Sequence, residues 1–251
     1  MIDIRLGDCL EVMKTIPNKS IDMILCDLPY GVTANKNDIA LPFDKLWDCY
    51  NRIIKDDGVI CLFAQGKFYV ELVYSNLSMF KYDLVWDKVL KTGFLNAKKM
   101  PLRQHEQIAI FYKNTSTHNP QFTEGKPSHD KGNLAFVRDI TNNNYGKFKS
   151  VETSKSSTDK YPSSILKFSK PSPATSIHRT QKLVDLLEYL IKTYTNEDDI
   201  ILDNCMGSGS TGVACKKLGR NFIGIEIDET CFNKAKERLN NVTKISQNLL
   251  F

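Results

Sequence analysis

Short apolar runs alternate with amphipathic stretches along most of the chain. Seven runs have the length and the flanking turn residues of β-strands, at Ile2–Leu6, Ile21–Cys26, Val59–Ala64, Tyr82–Trp86, Gln107–Tyr112, Ile200–Asp203 and Phe222–Ile227. Helices are predicted between them, near Leu10–Ile16, Leu46–Ile54, Phe68–Leu77 and Thr180–Thr195, from residue 210 through Cys215, and from the last strand to about Asn241. This alternation predicts an α/β fold in which a mostly parallel seven-stranded sheet carries helices on both faces.

The alternation stops between residues 114 and 176. Asn, Ser, Thr, Lys and Pro dominate this stretch, so we expect no strand of the main sheet there. Aromatic residues nevertheless recur in it, which is unusual for a disordered linker. They are Phe122, Phe136, Tyr145, Phe148, Tyr161 and Phe168. The stretch is therefore predicted to be a lobe inserted into the α/β domain.

Charge is distributed unevenly in the chain. Its 251 residues are 41% hydrophobic, which is enough for one full core and a smaller lobe. The formal net charge is +5, yet residues 113–182 hold twelve Lys and Arg against five Asp and Glu, a net charge of +7 that leaves −2 elsewhere. Such a basic segment suits contact with phosphates, although a solvated loop rich in lysine accounts for it equally well.

The composition disfavours several classes of protein. No apolar run is long enough to cross a bilayer, and the first residues lack the form of a signal peptide, so we expect a soluble cytoplasmic protein without a membrane partner. The seven cysteines include no CxxC pair, which favours reduced, buried thiols. The four histidines lack the i, i+4 spacing of metal ligands, so no metal site is expected.

A glycine turn of the form GxGxxG, Gly207–Gly212, joins a predicted strand to a predicted helix, and Glu226 ends the next strand. Glycine lets the backbone approach a ligand closely, and the acidic side chain can accept two ribose hydroxyls, so any cofactor that bears adenosine fits. A nicotinamide dehydrogenase is disfavoured because only one strand and one helix follow the turn. A phosphate-binding P-loop is disfavoured because the turn lacks Gly-Lys-Ser/Thr. A tight turn without a ligand stays an alternative.

The segment Asp27-Leu28-Pro29-Tyr30 directly follows the predicted strand Ile21–Cys26, at the edge of the sheet where open α/β folds bind ligands. From these residues alone, a plain turn and a catalytic segment are equally good interpretations. The catalytic interpretation meets a chemical need, because the amino nitrogen of adenine has its lone pair delocalised into the ring. The Asp27 carboxylate and the Leu28 carbonyl can each accept one N–H of that amino group. Pro29 stiffens the turn, and Tyr30 can stack on an extruded base.

Eight short segments follow one another along the chain: Gly7-Asp8-Cys9, Asp27-Leu28-Pro29-Tyr30, Asp56-Asp57-Gly58-Val59, Val85-Trp86-Asp87-Lys88, His105-Glu106-Gln107, His178-Arg179-Thr180-Gln181-Lys182, Asp203-Asn204-Cys205-Met206-Gly207-Ser208-Gly209-Ser210-Thr211 and Gly224-Ile225-Glu226. In this order they resemble the amino-methylating DNA methyltransferases of the β-type, in which the catalytic tetrapeptide precedes the glycine turn. The resemblance implies a single Rossmann-like class I methyltransferase domain, with a catalytic half (1–113), an inserted target-recognition lobe (114–176) and a cofactor-binding half (177–251). It also implies that the strands before the tetrapeptide and before the glycine turn are central neighbours.

The cofactor implied by this resemblance is S-adenosylmethionine. The residues expected to hold its methionine end are Asp203, Gly207, Gly209, Ser210 and Thr211. Glu226 would hold the ribose, and Asp8 and Cys9 would flank the adenine. The family's helix-opening element, expected beside the cofactor, is matched by His178, Thr180, Gln181 and Lys182.

Two positions depart from the family's pattern. Arg179 stands where proline is usual, and Leu28 replaces the first proline of Asp-Pro-Pro-Tyr. Both departures are expected to be tolerated, because the backbone carbonyl of Leu28 is the group that acts. The side chain of Leu28 is then expected to matter little.

Double-stranded DNA is the substrate that the resemblance implies. The loop Thr92–Asn96 would lie near the target base, and the residues expected to contact DNA around it are Lys88, Lys91, Asn96, Lys98, Lys99 and Arg103. A flexible charged connection is the alternative. A homodimer and a cognate restriction endonuclease are further partners that the resemblance leaves open.

The leading hypothesis is site-specific methylation of adenine N6 in DNA, by base flipping and direct transfer. Cytosine-N4 methylation is the first alternative, and it is disfavoured because such enzymes more often carry Ser at the position of Asp27. Methylation of RNA or of protein glutamine fits the basic insert and the order of the segments poorly. A non-catalytic DNA-binding subunit is the alternative from another class, and the intact Asp27, Tyr30 and Glu226 argue against it.

Overall fold

The computed structural model describes residues 1–31, 39–126, 139–142, 146–149, 158–169 and 183–242. The strands, in chain order, are β1 (Ile2–Leu6), β2 (Ile21–Cys26), β3 (Ile54–Ala64), β4 (Phe80–Thr92), β5 (Arg103–Phe111), β6 (Thr123–Glu124), β7 (Asp139–Asn142), β8 (Gly146–Lys149), β9 (Asp159–Lys160), β10 (Ile165–Lys167), β11 (Ile200–Asp203) and β12 (Asn221–Glu226). The helices are α1 (Cys9–Met13), α2 (Phe43–Ile53), α3 (Gly66–Ser75), α4 (Val184–Tyr194), α5 (Ser210–Lys217) and α6 (Glu229–Asn241).

Eight of the described strands form one sheet, in the order β1-β12-β11-β2-β3-β5-β4-β10. β5 is antiparallel to both of its neighbours, and every other neighbouring pair is parallel. All seven predicted strands lie in this sheet, so the predicted α/β fold with a mostly parallel sheet is confirmed. The predicted helices correspond to α1–α6, although residues 180–182 of one of them lie outside the described ranges.

The eighth strand corrects the prediction that no strand of the main sheet lies between residues 114 and 176. β10 pairs in parallel with β4, with Leu166 opposite Trp86. The Val85 amide also donates to the Ser164 carbonyl at 2.8 Å. β10 has only three residues, of which Leu166 is buried and Ile165 is 54% exposed. A strand of this length is too short to produce a periodic signal, so only its pairing with β4 reveals it.

Helices cover both faces of the main sheet. Buried side chains of α1, α2 and α3 form a core on one face, where Leu46 of α2 joins Ile24 of β2. Buried side chains of α4, α5 and α6 form the core on the other face, where Leu190 of α4 joins Met23 of β2. Successive residues of a strand point to opposite faces, so a strand covered on both faces must be apolar at consecutive positions. This explains the unbroken apolar run Met23–Cys26.

The strands β2 and β11 are parallel neighbours near the middle of the sheet. Ile201 lies opposite Met23, and Leu202 lies opposite Ile24. The predicted adjacency of the strand before the tetrapeptide and the strand before the glycine turn is thereby confirmed. Because both strands run the same way, Cys26 and Asp203 end at one edge of the sheet, which we call the site edge.

Two compact units divide the chain, Met1–Asn119 with Ser164–Phe251 in one and Pro120–Ser163 in the other. In the second unit, β6 pairs with β9 and β7 pairs with β8, both antiparallel. The rings of Phe122 and Tyr161 also contact each other there, with centroids 4.8 Å apart. This unit is shorter than the expected lobe of residues 114–176, because Asn119 and β10 belong to the first unit. None of the helices in the described ranges is both long and apolar enough to span a bilayer.

Candidate active site

Two carboxylates lie at the site edge, one beside each central strand. Asp27 follows the last residue of β2, and Asp203 is the last residue of β11. Asp203 is 4% exposed, and this burial is the main reason why the pKa of its carboxyl is raised to about 6. The negative charge of Asp27 adds to the rise of that pKa. The two carboxylates are therefore close enough to interact across the crevice between the strands.

Tyr30 is held by contacts on its hydroxyl and on its ring. The hydroxyl donates to Oδ1 of Asp27 at 3.0 Å, and the ring stacks on Phe68 of α3 with centroids 4.7 Å apart and planes 27° apart. Burial, followed by the charges of Asp27 and Glu106, raises the pKa of Tyr30 above its usual range. Tyr30 therefore stays a neutral hydrogen-bond donor, and it orients the carboxylate of Asp27.

Leu28 corrects one expectation. Its side chain is 3% exposed and belongs to the core on the α1–α3 face of the sheet. The side chain was expected to matter little, but a leucine buried to this extent contributes substantially to stability, and its truncation would leave a cavity. The structure thus gives Leu28 a packing role in addition to the role expected for its backbone carbonyl.

The glycine turn fixes the carboxylate of Glu226. The amide of Gly207 donates to Oε2 of Glu226 at 2.8 Å, and the amide of Asp228 donates to Oε1 at 2.8 Å. Gly207 has φ of +52° and Gly209 has φ of +74°, a backbone conformation that favours glycine. A Cβ placed on Gly207 would meet no atom within 4 Å, so the space beside this turn is open. The turn combines an open approach with an acidic group of fixed orientation.

Asp203 is bound by polar groups of its own turn. Oδ2 accepts a hydrogen bond from the Thr211 hydroxyl at 2.6 Å, and Oδ1 accepts one from the Cys205 amide at 3.2 Å. No lysine or arginine of the described ranges forms an ion pair with it. A buried carboxylate without a protein cation suits a ligand that carries positive charge. Ser210 is buried beside this turn, and its hydroxyl accepts from Arg238 of α6 at 3.1 Å.

Asp8 and Cys9 lie at the same edge, where β1 ends next to β12. The Gly7 amide donates to the Glu226 carbonyl at 2.9 Å, which places the start of α1 beside the end of β12. Asp8 caps α1, and its Oδ1 accepts from the Leu10 amide at 2.8 Å. A hydrogen bond with the thiol of Cys205 and burial raise the pKa of the Cys9 thiol, so it stays protonated. All seven cysteines are free thiols, four buried and three partly exposed.

Lys88 is not placed as the sequence suggested. It was expected to contact DNA phosphates, but it is 6% exposed and its ammonium group lies 3.1 Å from Oε1 of Glu106. The remaining residues of that prediction, Lys91, Asn96, Lys98, Lys99 and Arg103, are exposed. Arg103 also donates to Oε1 of Gln65 at 3.1 Å. The expected cofactor residues His178, Thr180, Gln181 and Lys182 lie outside the described ranges.

Three residues at this site were not predicted from the sequence. Glu106 and Asn204 lie inside segments that the sequence had singled out, so the signal for them was present but not used. The side-chain oxygen of Asn204 accepts from the buried Tyr50 hydroxyl at 2.6 Å. Phe68 had no distinguishing signal, because an aromatic residue on the apolar face of a helix is usually a core residue.

Comparisons with known proteins agree with this arrangement. The sequence model of the N6/N4 methyltransferase family, described as DNA methylase, matches residues 21–237. A Type II methyltransferase, M2.LlaDCHI of Lactococcus lactis subsp. cremoris, is 41% identical over 93% of this chain and 87% of its own length. The DNA adenine methyltransferase YhdJ of Escherichia coli (strain K12) is 25% identical over 93% of this chain and 81% of its own length.

Solved structures share the fold. The protein in the crystal structure of the M1.HpyAVI–SAM complex is 26% identical in sequence to this chain. The two structures superpose over 95% of this chain and 100% of the other, with a TM-score of 0.61. The cytosine-N4-specific PvuII DNA methyltransferase is 15% identical, with a TM-score of 0.64 over 99% of this chain and 88% of the other, and this likeness concerns the fold alone. The fold is therefore that of the class I methyltransferases, as expected. With the family match over most of its length, the chain belongs to the N6/N4 family of DNA methylases.

Proposed function

We propose that this chain transfers the methyl group of S-adenosylmethionine to N6 of adenine in double-stranded DNA at a specific sequence. The observation that carries this proposal is the pairing of β2 with β11, which brings the segment Asp27–Tyr30 and the glycine turn to one edge of the sheet. The segment Asp27–Tyr30, which can accept the amino hydrogens of a base, thus lies beside the glycine turn, which can bind a methyl donor. Proximity of this kind lowers the entropic barrier to transfer between two bound reactants.

The residues of the glycine turn fit S-adenosylmethionine chemically. The open space beside Gly207 admits a ligand, and the buried carboxylate of Asp203 suits the cationic methionine end. Each oxygen of Glu226 accepts one backbone amide, and each has capacity for a ribose hydroxyl. When bound, the cofactor supplies an activated methyl group on a positively charged sulfur. Residues 178–182 are proposed to lie beside it.

The side chains around Asp27 would prepare the adenine amino group. The carboxylate of Asp27 and the carbonyl of Leu28 each accept one N–H, which localises the lone pair of the nitrogen and aims it at the methyl group. Tyr30 orients Asp27 through its hydroxyl. Phe68 backs one face of the Tyr30 ring, so the base would stack on the other face. The adenine must leave the helical stack first, because its reactive atom is inaccessible inside the duplex.

Adenine is favoured over cytosine as the target. The first residue of the tetrapeptide is Asp27, where cytosine-N4 enzymes more often carry Ser. A relative that is 25% identical over 93% of this chain is named a DNA adenine methyltransferase.

The partners of the proposed reaction follow from its substrate. Residues 114–176, which include the compact unit Pro120–Ser163, are proposed to read the target sequence, with residues 1–113 as the catalytic half and 177–251 as the cofactor-binding half of the domain. The exposed cations Lys91, Lys98, Lys99 and Arg103, with Asn96, are proposed to meet DNA around the target base. We expect the chain to act in the cytoplasm, and a homodimer and a cognate restriction endonuclease are the further partners to test. Light scattering of the purified chain tests for the homodimer. A search for an endonuclease whose cleavage is blocked by the methylation tests for the second partner.

Analysis of modified nucleosides tests the proposed activity. The chain is incubated with duplex DNA and S-adenosylmethionine, and the digested DNA is examined by mass spectrometry. We expect N6-methyldeoxyadenosine; N4-methyldeoxycytidine would identify cytosine as the target, and methylation of RNA but not of DNA would refute the proposal. Asp27→Ala should abolish transfer while calorimetry still detects cofactor binding. Full activity of that variant would refute the proposed role of Asp27.

A further inference from the structure

Two large apolar side chains lie nearly fully exposed at the end of the hairpin formed by β4 and β5. Phe94 is 81% exposed and Leu95 is 98% exposed, and we call these two residues the apolar tip. They belong to a short 3-10 turn, Phe94–Asn96, which backbone hydrogen bonds stabilise. The Asn96 amide donates to Gly93 at 2.9 Å, and the Met100 amide donates to Asn96 at 3.0 Å. The exposure therefore belongs to an ordered turn, and adjacent exposed apolar residues of this size indicate an interaction surface.

The hairpin that carries the apolar tip extends from the site edge. β5 runs antiparallel to β3, with Gln107 opposite Ala64, so the first residues of β5 lie where β3 ends. Arg103, at the start of β5, donates to Gln65, directly before α3. The third residue of α3 is Phe68, on which Tyr30 stacks. A continuous chain of contacts thus connects the base of the hairpin to the catalytic segment.

A bend anchored to the sheet sets the direction of the hairpin. The register of β4 against β5 shifts between Asp87 and Thr92. Within this shift Val89 has φ of +64°, which is costly for a β-branched residue. Oδ1 of Asp87 accepts from the Val89 amide and from the Gln104 side chain, both at 2.9 Å. The bend is therefore tied to both strands of the hairpin.

The charges around the apolar tip point to a polyanion. Lys91, Lys98 and Lys99 flank it and are exposed, and no ion pair with an acidic residue is found for them within the described ranges. The sequence has no Asp or Glu from Lys88 to Gln104. A second copy of this chain could cover the tip, but a symmetric contact would bring the lysines of two copies together. DNA matches both the positive charge and, through its stacked bases, the apolar side chains.

We propose that Phe94 and Leu95 enter the duplex at the target site and occupy the space that the extruded adenine leaves. The inference rests on the proposed function, because it assigns the apolar tip to the same DNA complex. Apolar side chains inserted at a base step stabilise an unstacked duplex, and an aromatic ring can stack on the remaining bases. The flanking lysines would meet phosphates on either side. The tip then favours the open duplex, and the Asp27–Tyr30 segment receives the base.

Methylation rates on two duplexes test this inference. The first carries the sequence found methylated in cells that express the chain, and the second is identical but has an abasic site opposite the target adenine, which makes extrusion easier. For the variant Phe94→Ala/Leu95→Ala we expect kcat/KM to fall about tenfold or more on the first duplex, the loss expected for a stacking contact. On the second duplex we expect the loss to be much smaller. Leu77→Ala, which truncates an exposed leucine after α3, is the control and should change neither rate.

Three outcomes would overturn the inference. They are an unchanged rate of the double variant on the paired duplex, an equal loss on both duplexes, and loss of a dimer from solution in parallel with activity, which would assign the tip to a second copy. Fluorescence of 2-aminopurine at the target position gives a second measurement. It should rise when the unchanged chain binds and rise much less with the double variant. If the unchanged chain methylates no DNA, the proposed function itself fails, and the inference fails with it.

Discussion

The ammonium group of Lys88 lies 3.1 Å from a carboxylate oxygen of Glu106, and the two residues are only 6% and 8% exposed. Lys88 lies on β4 and Glu106 on β5, so the ion pair joins the two strands at the base of the hairpin. Glu106 also lies near the proposed catalytic segment Asp27–Tyr30, because its charge contributes, after burial and the charge of Asp27, to the raised pKa of Tyr30. A buried ion pair thus lies beside the residue that orients Asp27.

Removal of one partner of this ion pair is expected to destabilise the fold. Glu106→Gln or Lys88→Met leaves the other charge buried without its ion-pair partner, which costs about 3–5 kcal/mol of unfolding free energy. The double variant Lys88→Met/Glu106→Gln should lose less than the sum of the two single losses. Urea denaturation followed by circular dichroism measures these changes. Lys14→Ala, which removes an exposed ion pair with Glu11, is the control and should have no measurable effect.

The hydroxyl of Tyr30 is expected to affect the chemical step. Tyr30→Phe keeps the ring on Phe68 but removes the hydrogen bond to Asp27, so kcat should fall by about tenfold, the value of one charge-assisted hydrogen bond. The KM for the cofactor should stay the same, because the proposed contacts of Tyr30 are with Asp27 and the target base and not with the cofactor. Steady-state kinetics at varied cofactor concentration give both quantities, and single-turnover kinetics isolate the chemical step. A variant whose kcat is unchanged would show that Asp27 needs no orientation by Tyr30.

Substitution of Phe68 is expected to show whether this residue supports the ring of Tyr30 or serves only to fill the core. Phe68→Leu fills most of the buried volume but removes the stacking contact, so we expect the KM for DNA to rise while the unfolding free energy falls little. Phe111→Leu is a matched control, because Phe111 is buried in the same core at the far end of β5. Equal effects of the two variants on the KM would remove the supporting role of Phe68.

Cofactor affinity is expected to depend on pH through Asp203. Burial raises the pKa of this carboxyl to about 6 from 3.8, so the ionised form is disfavoured in the folded chain. In the proposed function, the ionised form is the one that attracts the cationic methionine end of S-adenosylmethionine. Affinity should therefore rise with pH by up to about tenfold per unit near pH 5 and level off above about pH 7. Calorimetric titrations across this range measure it.

The raised pKa of Asp203 is expected to change the stability of the fold with pH in the direction opposite to the change in cofactor affinity. Because the folded pKa of Asp203 is higher than the unfolded one, the group favours the fold less as pH rises from 3.8 to about 6, and its contribution is constant above that. Asp203→Asn should abolish the pH dependence of both stability and cofactor affinity that this carboxyl causes. Equal affinity of the unchanged chain at pH 5 and pH 7 would contradict the assignment of Asp203 to the cationic end.

Exposed lysines of the hairpin are expected to bind DNA without regard to sequence. Lys98→Ala/Lys99→Ala should weaken binding to all duplexes alike and reduce the slope of log affinity against log salt by about two, one for each phosphate contact. Fluorescence anisotropy at several salt concentrations gives the slope. Lys236→Ala, on the exposed side of α6, is the control. If the slope of the double variant equals that of the control, these lysines do not meet phosphates.

Much of the fold could be predicted from local patterns. β1, β2 and β11 have the predicted bounds, because apolar residues alternate with charged ones along β1 and most residues of β2 and β11 are apolar. β4 and β5 are longer than predicted. At their outer ends Thr92 and Arg103 are polar and exposed, and their pairing across the two strands rather than burial extends the sheet there. A hydrophobic pattern records burial, so it misses strands of this kind, as it missed β10.

The sequence by itself determined the order of the chemical groups. The sequence shows an acidic residue and a tyrosine after one predicted strand and glycines after another. Such features depend on the local backbone, as the positive φ of Gly207 and Gly209 illustrates, so a local pattern can predict them. Only the tertiary structure decided what surrounds these groups. It buried the side chain of Leu28, placed Phe68 against Tyr30, and paired Lys88 with Glu106. Such contacts join residues distant in the chain, and they arise from strand order and packing, which the spacing of residue types does not specify.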